Sequence, residues 1–129
     1  MVIDTSALLA ILFEEPDQAL YAAAVEGGSP RLLSSISAFE ASVVVESRKG
    51  VHGGRELDLL LHRARVDIVP FTRDHFELAR KAWRNYGKGN HPAGLNLADC
   101  CAYALARSSG EPLLFKGQDF SLTDAAPAL

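Results

Sequence analysis

The sequence predicts an α/β fold with a mostly parallel sheet, and two patterns carry that prediction. Short apolar runs alternate along the chain with stretches of helical spacing, so that each run is followed by one or two helices before the next. The first run, Met1-Val2-Ile3, passes directly into an apolar helix with Asp4 at the junction. In open sheets of this kind ligands bind at the carboxyl ends of the strands, where strand hands over to helix.

The first helix covers about Thr5 to Phe13, with Thr5 or Ser6 as a candidate cap. Glu14-Glu15-Pro16 ends it, because proline disfavours helical geometry in the residue before it. Pro16 then opens a second helix with Asp17 near its positive end and Leu20, Ala23, Ala24 and Val25 on its apolar face. Gly27-Gly28-Ser29-Pro30 is a turn.

The second strand is expected over Arg31 to Ile36, and Ser37 opens a helix that stops at Gly50. A further helix, about His52 to Arg65, is expected to follow the double glycine Gly53-Gly54. Val66 to Phe71 is the third strand, and Thr72 caps a helix bearing Phe76, Leu78, Ala79, Ala82 and Trp83. Tyr86 to Leu95 is a Gly/Pro-rich loop. Asn96 caps the helix that carries Asp99, Cys100 and Tyr103, and Ser108-Ser109-Gly110 closes it. Pro112 to Phe115 is the fourth strand, and the tail from Ala125 to Leu129 holds one more short strand or frays.

The 129 residues make one domain, 1–129, with no repeat or linker. Hydrophobic residues at 48% and charged residues at 22% mark a folded chain, not a disordered one. No apolar run approaches the about 18 residues of a membrane span, and no basic segment precedes an apolar one as in a signal peptide. Cys100 and Cys101 are adjacent, so they do not face each other on a helix and cannot readily pair. They read as reduced core thiols of a cytoplasmic protein.

Four acids fall at or near the carboxyl edge of the expected sheet: Asp4, Glu40, Asp99 and Asp119. Each has a purely structural reading. Asp4 is a possible helix cap, Glu40 completes the capping box Ser37-Ala38-Phe39-Glu40, Asp99 stands third after Asn96, and Asp119 suits a turn. Together they point to more. Four carboxylates gathered at one edge repel one another unless a cation lies between them, and hard oxygen donors suit Mg²⁺ or Mn²⁺. Such an ion promotes attack of water on a phosphodiester.

The formal charge of −3 does not suggest a nucleic-acid binder. Setting those four acids aside leaves the rest of the chain slightly basic. Arg48, Lys49, Arg73, Arg84, Lys88 and Lys116 are then expected to form a modest basic rim around an acidic hole, which suits RNA. Gly87-Lys88-Gly89 lacks the order of a phosphate-binding loop. Lys88, His91 and Lys116 are nonetheless the candidate phosphate contacts. Thr5 and Ser6 either cap the first helix or orient the site. Asp74 and Asp124 read as structural, and Glu14, Glu15 and Asp17 as a solvated turn.

Met-Val-Ile-Asp4-Thr-Ser-Ala, Ile-Ser-Ala-Phe-Glu40, the segment Tyr86 to Cys100 and Leu-Leu-Phe-Lys-Gly-Gln-Asp119-Phe together resemble the PIN-domain ribonucleases, and more closely the VapC-type toxins of bacterial toxin–antitoxin pairs. The resemblance runs from Met1 to about Asp124. It implies a three-layer α/β/α fold around a parallel sheet of four to five strands. It also implies a Mg²⁺- or Mn²⁺-dependent endoribonuclease whose acids match Asp4, Glu40, Asp99 and Asp119, leaving 5′-phosphate and 3′-hydroxyl ends. On this reading Asp4 and Asp99 are the main metal ligands, Glu40 and Asp119 complete the set, and Thr5 or Ser6 supports them from behind. An antitoxin partner and a homodimer are implied as well. Leu97-Ala98 departs from the aromatic and glycine that many such toxins carry there, without removing a ligand.

Two other enzyme and signalling classes fit less well. A haloacid-dehalogenase-like phosphatase needs a second Asp at position 6, which is Ser, and a receiver domain needs an acidic pair that Glu14 and Glu15 come too late to supply. The remaining alternative is an inactive PIN fold that only binds RNA or protein.

Overall fold

The computed structural model describes residues 1–129. Its sheet has four short strands, β1 (Val2–Ile3), β2 (Leu32–Ser34), β3 (Asp67–Val69) and β4 (Leu113–Leu114), all parallel, in the order β3-β2-β1-β4. Val2 lies opposite Leu32 and Leu113, and Ile3 opposite Leu114. Successive strand residues point to opposite faces, and this register sorts them cleanly. Ile3, Leu33 and Leu114 enter one core with α1 (Thr5–Leu12), α2 (Gln18–Gly27), α3 (Ser35–Lys49) and α4 (Val51–Arg63). Val2 and Leu113 enter the other with α5 (Arg73–Tyr86) and α6 (Leu97–Ser109). Helices cover both faces, which gives the expected three layers. It also explains why the central strands read as plain apolar runs.

The chain steps from β1 to β2 to β3 toward one edge, then returns through α5 and α6 to place β4 on the far side of β1. The direction therefore reverses between β1 and β4, and the crevice at such a reversal is where open sheets bind ligands.

Several local expectations shift. The second strand ends at Ser34, whose hydroxyl accepts the Ile36 N–H at 3.2 Å and caps α3. Ser37 therefore lies inside the helix and makes no capping box with Glu40. The earlier serine wins because it stands where the backbone is still extended, which a cap requires. The second helix begins at Gln18 with Asp17 at its cap position, not at Pro16. Gly53 and Gly54 do not precede α4 but lie within it. A Cβ on Gly53 would sit 2.6 Å from Val45 Cγ1 and 2.9 Å from the Val45 carbonyl oxygen, so the glycine lets α4 cross α3 closely. The tail forms a single parallel bridge to β4, with Leu113 donating to Ala126 O at 2.8 Å and Ala128 to Leu113 O at 2.9 Å.

Candidate active site

Asp4 follows β1 and caps α1. Its Oδ2 accepts the Ser6 N–H at 3.0 Å and the Ser6 hydroxyl at 2.6 Å. The residue is only 4% exposed. Burial raises its pKa, and the Glu40 charge adds to the rise against the opposing Ser6 hydrogen bonds. Asp99 sits in the first turn of α6. Its Oδ2 accepts the Asn96 N–H at 3.0 Å, while Asn96 Oδ1 accepts the Asp99 N–H at 2.8 Å. Its carboxyl is pushed up to about 7, by burial first, then by the charges of Asp4, Asp119 and Glu40, against the Asn96 bond.

The structural reading of these two acids is thus realised, and it leaves the chemical one open. A carboxylate has two oxygens, so holding a helix end with one is compatible with ligation through the other. Asp4 and Asp99, far apart in sequence, feel each other's charge. Glu40 and Asp119 act on the same group, so all four predicted acids share one electrostatic neighbourhood. Glu40 is half-buried on α3, and Asp119 is exposed at the start of a short 3₁₀ turn, Phe120–Leu122.

Burial, with the charges of the other acids added to it, leaves the Asp99 carboxyl at about 7. A divalent cation relieves the repulsive part, and hard oxygen donors are the set that Mg²⁺ or Mn²⁺ takes. The residues present fit such an ion by their chemistry. As the side chains stand, however, no three His, Cys, Asp or Glu residues are grouped so as to hold a metal. Ligation would require the carboxylates to turn toward one another.

The supporting residues divide. Ser6 links Asp4 to the end of β4, because its hydroxyl also accepts the Lys116 N–H at 2.9 Å. Thr5 is committed elsewhere: its hydroxyl donates to the Ser37 carbonyl at 3.2 Å and ties α1 to α3. The Ser37 hydroxyl itself is buried with no partner.

Half of the expected basic rim is tied up in ion pairs, while Arg48, Arg84 and Lys88 are in none. Lys116 Nζ is held by Glu15 at 2.5 Å and Asp17 at 2.9 Å, so the candidate phosphate contact is already neutralised, and these two acids are not a solvated turn. Lys49 pairs with Glu56 at 3.0 Å, Arg73 with Glu77 at 3.8 Å, and the Arg48 guanidinium lies 4.5 Å from the Phe13 ring centre. Lys88 stays exposed. His91 folds into its own loop, accepting the Ala93 N–H on Nδ1 at 3.0 Å and packing edge-on against Tyr86. Asp124 is structural as expected, accepting from the Tyr103 hydroxyl and from Arg107.

One feature escaped the sequence. A groove of about 610 Å³ opens beside the first turns of α6, lined by Phe71, Phe76, Trp83, Leu95, Leu97 and Cys100, with Lys88 on its rim. Leu97 is 76% exposed and Trp83 50%. The available signal was the spread of α5's large apolar residues over more than one face. Cys100 and Cys101 are buried free thiols, and burial first pushes both up to about 11.

This architecture, a parallel sheet in the order β3-β2-β1-β4 with helices on both faces, has a known counterpart. The PIN domain model matches residues 1–126, and the chain belongs to that family. Its curated relatives are narrower still: they are VapC ribonucleases. Ribonuclease VapC30 of Mycobacterium tuberculosis is 57% identical over 126 residues, covering 98% of this chain and 96% of that one. Ribonuclease VapC of Mycolicibacterium smegmatis is also 57% identical over 126 residues, covering 98% of each. Ribonuclease VapC28 of Mycobacterium tuberculosis is 44% identical over 130 residues, covering 100% of this chain and 98% of that one. In three dimensions the chain resembles the crystal structure of Mycobacterium tuberculosis VapC20, described as a sarcin-ricin loop cleaving toxin. The TM-score is 0.78, with 17% identity over 97% of this chain and 95% of the other, a likeness that bears on the fold.

Proposed function

We propose that the chain is a divalent-metal-dependent endoribonuclease that acts as the toxin of a toxin–antitoxin pair in the cytoplasm. The observation that carries this reading is the charge coupling of Asp99 to Asp4, Glu40 and Asp119. Asp4 and Asp99, oriented by Ser6 and Asn96, are the principal ligands for Mg²⁺ or Mn²⁺, and Glu40 and Asp119 complete the set. When bound, the ion neutralises charge on the phosphodiester and lowers the pKa of a water. Glu40 and Asp119, directly or through water, would help to orient the attacking water. Discrimination for RNA lies in binding, since this chemistry needs no 2′-hydroxyl. Lys88 is the cation best placed to meet a phosphate, being exposed and outside every ion pair. The exposed apolar groove beside the acids fits protein partners, namely an antitoxin and a second copy.

The test is cleavage of RNA by partner-free protein with Mn²⁺ or Mg²⁺. Chelator and Asp4→Asn should each abolish it, by at least about a hundredfold. Cleavage that survives either treatment overturns the metal-nuclease reading, and tight RNA binding without any cutting would identify a binding module.

A further inference from the structure

We propose that Lys116 is a positioning residue for the acid cluster: gripped by Glu15 and Asp17, it fixes the loop that carries Asp119 against the Asp4 carboxylate. This rests on the reading of the four acids as a metal site.

Lys116 reaches both acid-bearing segments at once. Its Nζ donates to Glu15 at 2.5 Å and to Asp17 at 2.9 Å, with the side chain 35% exposed. Its backbone N–H donates to Ser6 Oγ at 2.9 Å, and that hydroxyl donates to Asp4 Oδ2 at 2.6 Å. One residue earlier, the Phe115 carbonyl accepts the Tyr21 hydroxyl at 3.3 Å. One residue later, Gly117 takes φ +103°, a conformation that favours glycine, and the chain turns at once toward Asp119. The end of β4 is thus tied to α2 on one side and to the Asp4 cap on the other.

The α1–α2 turn gives up local preferences to make this grip. Glu14 N–H donates to Ile11 O at 3.2 Å and Glu15 N–H to Ala10 O at 3.0 Å, a helix ending that usually places glycine where Glu14 stands. Glu14 holds φ +51° there, which a residue with a Cβ adopts at a cost. Asp17 occupies the cap position of α2 yet makes no capping hydrogen bond with its side chain, whose Oδ1 accepts from Lys116. A half-exposed ion pair kept only for stability contributes little. Here the turn that presents Glu15 and Asp17 to the lysine departs from its local optimum at Glu14 and at the Asp17 cap.

The experiment is Mn²⁺ binding by titration calorimetry on the intact chain without RNA, for the parent, Lys116→Met, Ser6→Ala and Asp4→Asn. Charge alone and positioning predict opposite signs for Lys116→Met. Removing a cation near four acids tightens Mn²⁺ by Coulomb's law, whereas loosening the loop weakens it. The expected result is Mn²⁺ affinity about tenfold weaker in Lys116→Met, with thermal unfolding confirming a folded protein. Ser6→Ala changes no charge, cuts the same chain of bonds at its other end, and weakens Mn²⁺ in the same direction. If Lys116→Met does not fold, Lys116→Gln takes its place, with weaker Mn²⁺ supporting the proposal and unchanged or tighter Mn²⁺ overturning it. Affinity unchanged or tighter in Lys116→Met overturns the proposal. If Asp4→Asn binds Mn²⁺ as the parent does, or the parent binds none, the metal site itself is overturned. Loss of binding in Asp4→Asn with a parent-like Lys116→Met removes only the clamp.

Discussion

Asp99 and Asn96 exchange side chain and backbone across the first turn of α6: each accepts the other's N–H, at 3.0 and 2.8 Å. The pair holds the carboxylate at the mouth of the helix, where three other acids act on it. The same residue therefore closes the capping box of α6 and is a strained charge of the site.

That strain has a sign in pH. The Asp99 carboxyl moves from 3.8 to about 7 on folding, so between those values the folded chain holds a proton that the unfolded chain has lost. Folding stability falls as pH rises through that window and stays lowered above it. Asp99→Asn removes the charge and keeps an oxygen for the Asn96 N–H. It should match the parent near pH 4 and exceed it at pH 8 by about 1–2 kcal/mol, allowing for partial solvent screening. Urea unfolding at the two pH values checks this, and a difference that does not grow with pH sinks it. Because Asp99 must ionise to ligate, Mn²⁺ affinity of the parent should rise from pH 6 to 8.

Two serines three residues apart should respond oppositely to alanine. Ser34 caps α3, so Ser34→Ala costs about 1 kcal/mol. The Ser37 hydroxyl is buried and unpartnered, so Ser37→Ala is expected to stabilise by about 1 kcal/mol. Equal losses in chemical denaturation would show that Ser37 has a partner after all.

Gly53→Ala improves helix propensity by about 1 kcal/mol and still should destabilise. Its new methyl would lie 2.6 Å from Val45 Cγ1, 2.8 Å from Lys49 Cβ and 2.9 Å from the Val45 carbonyl, and the carbonyl cannot move aside without breaking α3. The expected net loss is about 1–2 kcal/mol, read as a lowered Tm. A raised Tm would mean that α3 and α4 part easily.

Cys100 and Cys101 should resist a thiol reagent in the native state at pH 8. Both are buried, and with values near 11 few of the thiols are ionised. Two thiols should react on unfolding, while fast native reaction would place one of them on an open wall of the groove.

The sequence by itself determined the layered architecture. Parallel strands covered on both faces must be apolar throughout, so Val2-Ile3 and Leu113-Leu114 announce themselves without any partner in view. Local patterns also placed the Thr72 and Asn96 caps, because a cap is made within four residues. The sequence also put Asp4 at the junction of β1 and α1, since that position follows from element order alone.

Only the tertiary structure decided what the long-range contacts decide. Spacing could not say that the charges of Asp4, Glu40 and Asp119 reach Asp99, because that depends on how the fold brings their segments together. Nor could it say that Lys116 belongs to Glu15 and Asp17 rather than to RNA, or that Ser34 displaces Ser37 as the cap. The physical reason is common to all of these. Periodicity and capping are read within a few residues, whereas the partner of a charge is chosen by the fold, from whichever segment it brings within a few ångströms.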